Sequence, residues 1–373
     1  MYSKQCDDAR PYLRTVPSVL TRLANQAKDH NPSVVHKTAV AAAEDLTYLH
    51  RNYKQVKNLR ERVTASTRLS RDGLANLHDM AYDIPAFVCT IQTFPDLIVI
   101  AGRDDLLQQL NSLLLTPSRT HTQLLSYDTT FNFGDFYISA LLFRAVCFHE
   151  NPVIPALFMV HERKLHSTHE KFVDVLAEKL PALQASHCVL VTDGEAAVGV
   201  FEDKFPKMTK VFCWNHVFSS AKQWLRSHNA SSGDLQVYVD HIRTLLHAPT
   251  PAAYRDLYQQ QCKLWSQSFK DYYDAEIGVH YGRSLGRVVL ERLSIYDPNS
   301  GVTQNMSEGF NTVMRRMHEW KEATLDVCFL TVYQLQTFYM NNIRLGCCNR
   351  GDYRLISDEF TEMQVDGMCS RPL

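Results

Sequence analysis

The stretch from residue 123 to residue 225 constrains this chain more than any other, because its apolar runs change period in a fixed order. Residues 124–131, 137–143 and 154–161 are short apolar runs that read as three successive strands, the first two joined by a turn at Asn132-Phe133-Gly134. A helix is expected over 168–180, stopped by Pro181. Residues 188–192 have the length and apolar content of a buried parallel strand. A helix over 195–205 stops at Pro206, residues 211–213 form a fifth short strand, and a helix continues through Leu225. Three strands followed by β-α-β-α crossovers predict a mixed sheet, antiparallel on one side and parallel on the other.

That element order is the order of an RNase H-like α/β fold of the retroviral-integrase type, with helices on both faces of the sheet. The remainder of the chain arranges itself around it. Residues 17–83 read as helices, with apolar positions at Val19, Leu23 and Ala27 and again at Leu74, Leu77 and Ala81, and with Ser70 placed to cap the last of them. Residues 87–91 and 97–100 read as two strands around Phe94-Pro95-Asp96, and 104–115 as a helix. Residues 227–300 lose the strand pattern and are expected to be helical, with Tyr254, Leu257 and Leu264 on one face. Helices are expected over 303–319 and 325–343, followed by a weakly ordered tail. The domains drawn on this basis are a mainly helical N-terminal region at 1–119, a core at 120–226 and 301–322, a helical insertion at 227–300, and a C-terminal helix and tail at 323–373.

In that topology the first and fourth core strands are neighbours. Asp128 lies within the first and Asp193 at the end of the fourth, where open α/β sheets place their sites. Two facing carboxylates repel unless a cation lies between them, and hard oxygen donors suit Mg²⁺ or Mn²⁺. A third acid should come from a helix that packs back on the sheet. Glu308 in Asn305-Met306-Ser307-Glu308-Gly309-Phe310-Asn311 supplies it, with Asn311 one turn on to orient the carboxylate. Three carboxylates of this kind serve two-metal attack on a phosphodiester. The blander reading of Asp193 is a turn or cap residue before Gly194.

These blocks resemble those of Mutator-like (MULE) transposases. Ser126-Tyr127-Asp128-Thr129-Thr130-Phe131 resembles the first-aspartate motif. Val191-Thr192-Asp193-Gly194-Glu195, then Phe205-Pro206 and Phe212-Cys213-Trp214-Asn215-His216, resembles the second-aspartate block and its C-x-x-H element. The segment around Glu308 resembles the third block, and 114 residues lie between Asp193 and Glu308, as in transposases with a helical insertion before the last acid. The similarity covers roughly residues 122 to 320. It implies a nuclear, metal-dependent DNA transposase that cleaves transposon ends and joins them to target DNA, acting as a homo-oligomer on DNA. It equally implies the alternative of a domesticated, transposase-derived DNA-binding or regulatory protein without catalysis. A structure-specific nuclease on the same fold is a third possibility.

Composition bounds these readings. Thirty-nine basic residues face forty acidic ones, so any DNA contact must come from a local patch. Between residues 51 and 71, seven basic residues face one acid, and Arg51, Lys54, Lys57 and Arg60 are expected to touch phosphates, with Arg315 and Arg316 after Glu308 lining the same groove. Ten scattered cysteines without a C-x-x-C pair, and a polar start, are expected of a soluble intracellular protein, and no apolar run is long enough for a membrane span. Cys213 and His216 have zinc-ligand chemistry, with Cys262, His241, His247 and His280 as the available partners, although no regular ligand spacing follows. His161 and His166 miss the H-E-x-x-H spacing by one residue and are not metalloprotease ligands. Trp214 and Trp224 are expected in the core. No fingerprint for a small-molecule cofactor is present.

Overall fold

The computed structural model describes residues 14–43, 48–67, 72–116, 118, 121–131, 136–194, 199–303, 305–317 and 324–364. The chain divides into two compact units, Met1–Asn76 and Leu77–Leu373. The first holds α1 (Pro17–Asp29), α2 (Pro32–Ala41) and α3 (Tyr53–Thr67). Val19, Leu23, Val35 and Val56 form its small core. The helix starts follow from local chemistry. Pro17 and Pro32 sit where a missing N–H costs nothing, and the Asn31 side chain accepts a hydrogen bond from Ser33 N at 2.9 Å.

The division falls inside α4 (Gly73–Asp83). Its start is held by Asp72, whose carboxylate accepts from Leu74 N and Ala75 N at 2.9 and 3.2 Å. Ser70, the expected cap, lies outside the described residues, and Asp72 performs that role.

The second unit is built on a seven-stranded mixed sheet of order β1-β2-β5-β4-β3-β6-β7. Its strands are β1 (Val88–Gln92), β2 (Ile98–Ala101), β3 (Leu124–Phe131), β4 (Tyr137–Arg144), β5 (Val153–His161), β6 (Val189–Thr192) and β7 (Thr209–Phe212). The β1-β2, β2-β5, β5-β4 and β4-β3 pairs are antiparallel, whereas β3-β6 and β6-β7 are parallel. The expected mixture of antiparallel meander and parallel crossovers is therefore present. The boundary drawn at 119/120 is not where the units divide: β1, β2 and α5 (Asp104–Leu115) belong with the sheet, because β2 pairs with β5 from Ile98↔His161 to Ala101↔Phe158.

Alternation along the strands sorts residues to two faces. On one face, Leu125, Tyr127, Leu141 and Leu190 pack with Leu106 and Leu110 of α5, Phe172 and Leu176 of α6 (His166–Lys179), and Phe201 of α7 (Val200–Lys204). On the other, Val189, Val191 and Val211 pack with helices α8 (Trp214–Ser227), α9 (Ser232–Leu246), α11 (Gln267–Glu276) and α12 (Arg287–Arg292). Between α9 and α11 lies α10 (Pro251–Gln261). The insertion at 227–300 is helical as expected, and its Ile242, Leu245, Phe269 and Tyr273 complete the core over the parallel strands. Each such side chain contributes about 1.5–3 kcal/mol by leaving water. Leu264, expected on one helical face with Tyr254 and Leu257, lies instead in a 3₁₀ turn after α10 and is 68% exposed.

Two helices follow, α13 (Asn305–Met317) and α14 (Leu325–Cys347), then the short α15 (Ser357–Phe360). Among the described residues, the segment after α14 packs on the core, where a weakly ordered tail was expected. Leu355 bridges Phe148, Ile356 N donates to Cys147 O at 2.8 Å, and Leu355 and Phe360 are buried in the core. The fully buried Gln336 of α14 fastens the helix to the sheet. Its Nε2 donates to Pro155 O and Ala156 O at 3.0 and 2.9 Å, where the β4-β5 register shifts, and its Oε1 accepts from Arg103 N at 2.9 Å. No described helix is long and apolar enough to cross a membrane.

Candidate active site

The centre of the sheet brings two carboxylates to one level. Ser126 on β3 pairs with Val191 on β6. Asp128 and Asp193 each lie two residues further along parallel neighbours, and so share the Ser126 face. Gly194 then turns the chain away with φ +87°, a conformation that suits glycine.

Helix α13 covers that face with a matched repeat. Ser307 Oγ meets Ser126 Oγ at 2.8 Å, both buried, and Asn311 Nδ2 donates to Asp128 Oδ2 at 3.4 Å. Four helical residues advance about 6 Å, and two strand residues about 6.6 Å. The Ser307–Asn311 step thus reproduces the Ser126–Asp128 step. Phe310 seals the same contact against Phe158 of β5, with ring centroids 5.4 Å apart.

Glu308, one residue past Ser307, is turned toward α8 and is exposed. Its Oε1 accepts from Asn215 Nδ2 at 3.5 Å. Asn215 is held there because Cys213 N donates to Thr192 O and Trp214 N to Val302 O, both at 2.9 Å, tying the start of α8 to β6 and to the approach to α13. The expected role of Asn311 changes accordingly. It contacts Asp128, and Asn215 contacts Glu308. Nothing in the local sequence distinguished Asn215, whose position depends on that packing.

The site is electrostatically loaded. Burial first, and the charge of Asp193 second, raise the Asp128 carboxyl above the ordinary range, while His216, the Asn311 bond and Lys164 oppose the rise. His216 is raised chiefly by its hydrogen bond with Cys213, against burial, and further by the electrostatic influence of Cys213, Asp128 and Asp193. An imidazole whose protonated form is favoured therefore stands beside two carboxylates that repel one another. This donor set has the chemistry of a hard-cation site.

No known family model matches the chain, and no curated protein matches it.

Cys213 and His216 hydrogen-bond one another. The remaining zinc candidates have other partners. His241 Nδ1 accepts from Trp265 Nε1 at 2.9 Å, His247 Nδ1 meets Tyr296 OH at 2.6 Å, Cys262 Sγ donates to Gln259 O at 3.7 Å, and His280 packs edge-on to Phe212 at 4.7 Å. Among the described residues, no three His, Cys, Asp or Glu side chains are grouped closely enough to hold an ion as they stand. His161 ends β5 and bonds Ser139 Oγ and Arg163 O, both at 2.8 Å. Trp214 is buried, whereas Trp224 is half-buried and stacked on Tyr272 at 4.8 Å.

Of the basic residues, Arg51, Lys54 and Lys57 are exposed on the first unit, and Lys57 pairs with Glu61 at 3.7 Å. Arg60 is half-buried and donates to His30 O at 3.5 Å. Arg315 and Arg316 are exposed at the end of α13. Arg68, Arg71 and Lys321 lie outside the described residues.

Proposed function

We propose that this chain is a divalent-metal-dependent DNA transposase of the Mutator-like kind, with an RNase H-like core. The observation that carries the reading is that Asp128 within β3 and Asp193, one residue past the parallel neighbour β6, come to one level beneath a helix that presents Asn311 to the first and carries Glu308. The order of the five strands β5-β4-β3-β6-β7, an antiparallel meander followed by two parallel crossovers, supports the fold.

Asp128, Asp193 and Glu308 would hold Mg²⁺ or Mn²⁺, which when bound supplies activation of a water or DNA 3′-hydroxyl and stabilisation of the leaving oxygen. The chain's own residues do the rest. Asn311 fixes the Asp128 carboxylate, Asn215 holds Glu308 at the rim, and His216 balances the charge of the two aspartates. Arg315 and Arg316, on the helix that carries Glu308, supply phosphate contacts, and Arg51, Lys54, Lys57 and Arg60 add them from the helical unit. DNA in a nucleus, and a homo-oligomer assembled on it, are the setting this reading requires.

One observation favours the second reading, a domesticated DNA-binding or regulatory protein. Glu308 bonds Asn215 of α8, whereas the residue of α13 that contacts Asp128 is Asn311, one turn on. Calorimetry separates the two. Mg²⁺ or Mn²⁺ should bind the wild type and weaken in Asp128→Asn, Asp193→Asn and Glu308→Gln, with nicking and strand-transfer products on transposon-end DNA that disappear in the same variants. A wild type that binds DNA but neither ion, even on DNA, establishes the non-catalytic protein. Normal ion binding in Glu308→Gln alone removes Glu308 from the triad.

A further inference from the structure

A cavity of about 140 Å³ opens beside Asp193, at the carboxyl ends of β6 and β7. The sheet side supplies Asp193 and Phe212, α8 supplies His216, and the insertion supplies Tyr272, Glu276 and His280. Its walls are aromatic and already braced. Tyr272 is stacked on Trp224 with centroids 4.8 Å apart, Trp224 in turn on His228 at 3.8 Å, and His280 stands edge-on to Phe212 at 4.7 Å. Such rings, held before any ligand arrives, offer stacking surface at little ordering cost.

The polar groups narrow the ligand. Asp193 and Glu276 are acids, and burial with nearby Lys210 lowers His280, favouring its neutral form. With two acids against the single raised imidazole of His216, this lining disfavours an anion, so a phosphate is a poor occupant. A flat, neutral heterocycle that donates hydrogen bonds is a good one. A carboxylate only accepts, and guanine offers it two adjacent donors, N1–H and the N2 amino group, where thymine offers one.

We infer that this cavity receives one unpaired nucleobase of the strand whose phosphate lies at Asp128 and Asp193, stacked against Tyr272 and preferring guanine through Glu276. The inference rests on the proposed transposase reading and deepens it. It gives the helical insertion a part in substrate binding. Bases taken out of the duplex are characteristically read by stacking and by hydrogen bonds to the edge that pairing otherwise hides.

The test uses the full chain with Ca²⁺ and fluorescent DNA duplexes that end in a short single-stranded arm of guanines, thymines or abasic residues. The guanine arm should bind about tenfold more tightly than the thymine arm, the scale of one good two-bond contact. Glu276→Gln should bring the guanine and thymine arms to within about twofold without altering the abasic arm. Tyr272→Ala should lower both base-bearing arms toward the abasic one. Equal binding of all three arms by the wild type, or a guanine preference that survives Glu276→Gln, overturns the inference and leaves the proposed function standing. A wild type that binds neither arms nor duplex overturns both.

Discussion

Replacing Asp128 with Asn removes one of two like charges while keeping the oxygen that accepts from Asn311. The aspartates come to one level, Asp128 within β3 and Asp193 just past the end of β6, and neighbouring strands run about 4.8 Å apart. At about 5 Å and an effective dielectric near 20, their repulsion is about 3 kcal/mol. His216, Lys164 and the Asn311 bond offset much of it. A net gain of about 1 kcal/mol is expected for Asp128→Asn without metal, a rise of about 2 °C in Tm for a unit of this size. The assay is thermal unfolding in EDTA and in millimolar Mg²⁺ or Mn²⁺. Wild type should start lower and rise with the ion, whereas the variant should start higher and stay there. The pH dependence has a definite sign. The Asp128 carboxyl is raised in the folded state, so the folded protein holds that proton more tightly than the unfolded chain. The penalty is absent below the ordinary carboxylate range and complete above the raised value, so the advantage of the variant should shrink as pH falls. A variant less stable than wild type in EDTA at neutral pH refutes the reasoning.

The buried His161 and His169 are both pushed down to about 4, chiefly by burial. The unfolded chain binds their protons first, so stability should fall as pH drops from about 6.5 toward 4, by about 3 kcal/mol for each histidine at full effect. His169→Gln, which can keep a bond to the Tyr127 hydroxyl, should remove roughly half of that loss in denaturant unfolding followed against pH. Gly301 has φ +67°, and a Cβ there would lie 2.2 Å from the Trp214 ring. Gly301→Ala should therefore cost about 3 kcal/mol by chemical denaturation, from strain and overpacking together. Changing Arg315 and Arg316 to Ala should weaken DNA binding for all sequences alike and reduce the slope of log affinity against log salt by about 2. An unchanged slope would show that neither touches phosphate.

The sheet was legible where strands are buried on both faces. The apolar runs of β3, β5 and β6 leave no helical alternative at their length, and the parallel pairing of β3 with β6 follows from the crossovers between them. The levels of Asp128 and Asp193 follow from that pairing. Partners that chain distance separates were not legible. The β1-β2 hairpin announces itself as strands, yet nothing within it says that Ile98 will pair with His161. Asn215 and Asn311 are alike as residue types. Only the rotation of α13, set by the Ser126–Ser307 contact, gives one of them Glu308 and the other Asp128. The tail after α14 reads as irregular because its helical pieces, α15 and the 3₁₀ turn at Thr361–Met363, are too short to show a period. Its order comes from Leu355 and Phe360 entering a core built by residues far upstream.

The Gln336 amide makes three directed bonds to backbone groups on two separate segments, and those segments meet only because Gly102 leaves room for Ala156 O, which would lie 2.7 Å from any added Cβ. A greasy contact would let a long helix slip by a turn at small cost; this one is keyed like a tumbler lock. Helix α14 can neither slide nor roll without abandoning all three bonds in a dry interior. A displacement of α14 at Gln336 must therefore break its bonds at the β5 bulge or drag the bulge with it.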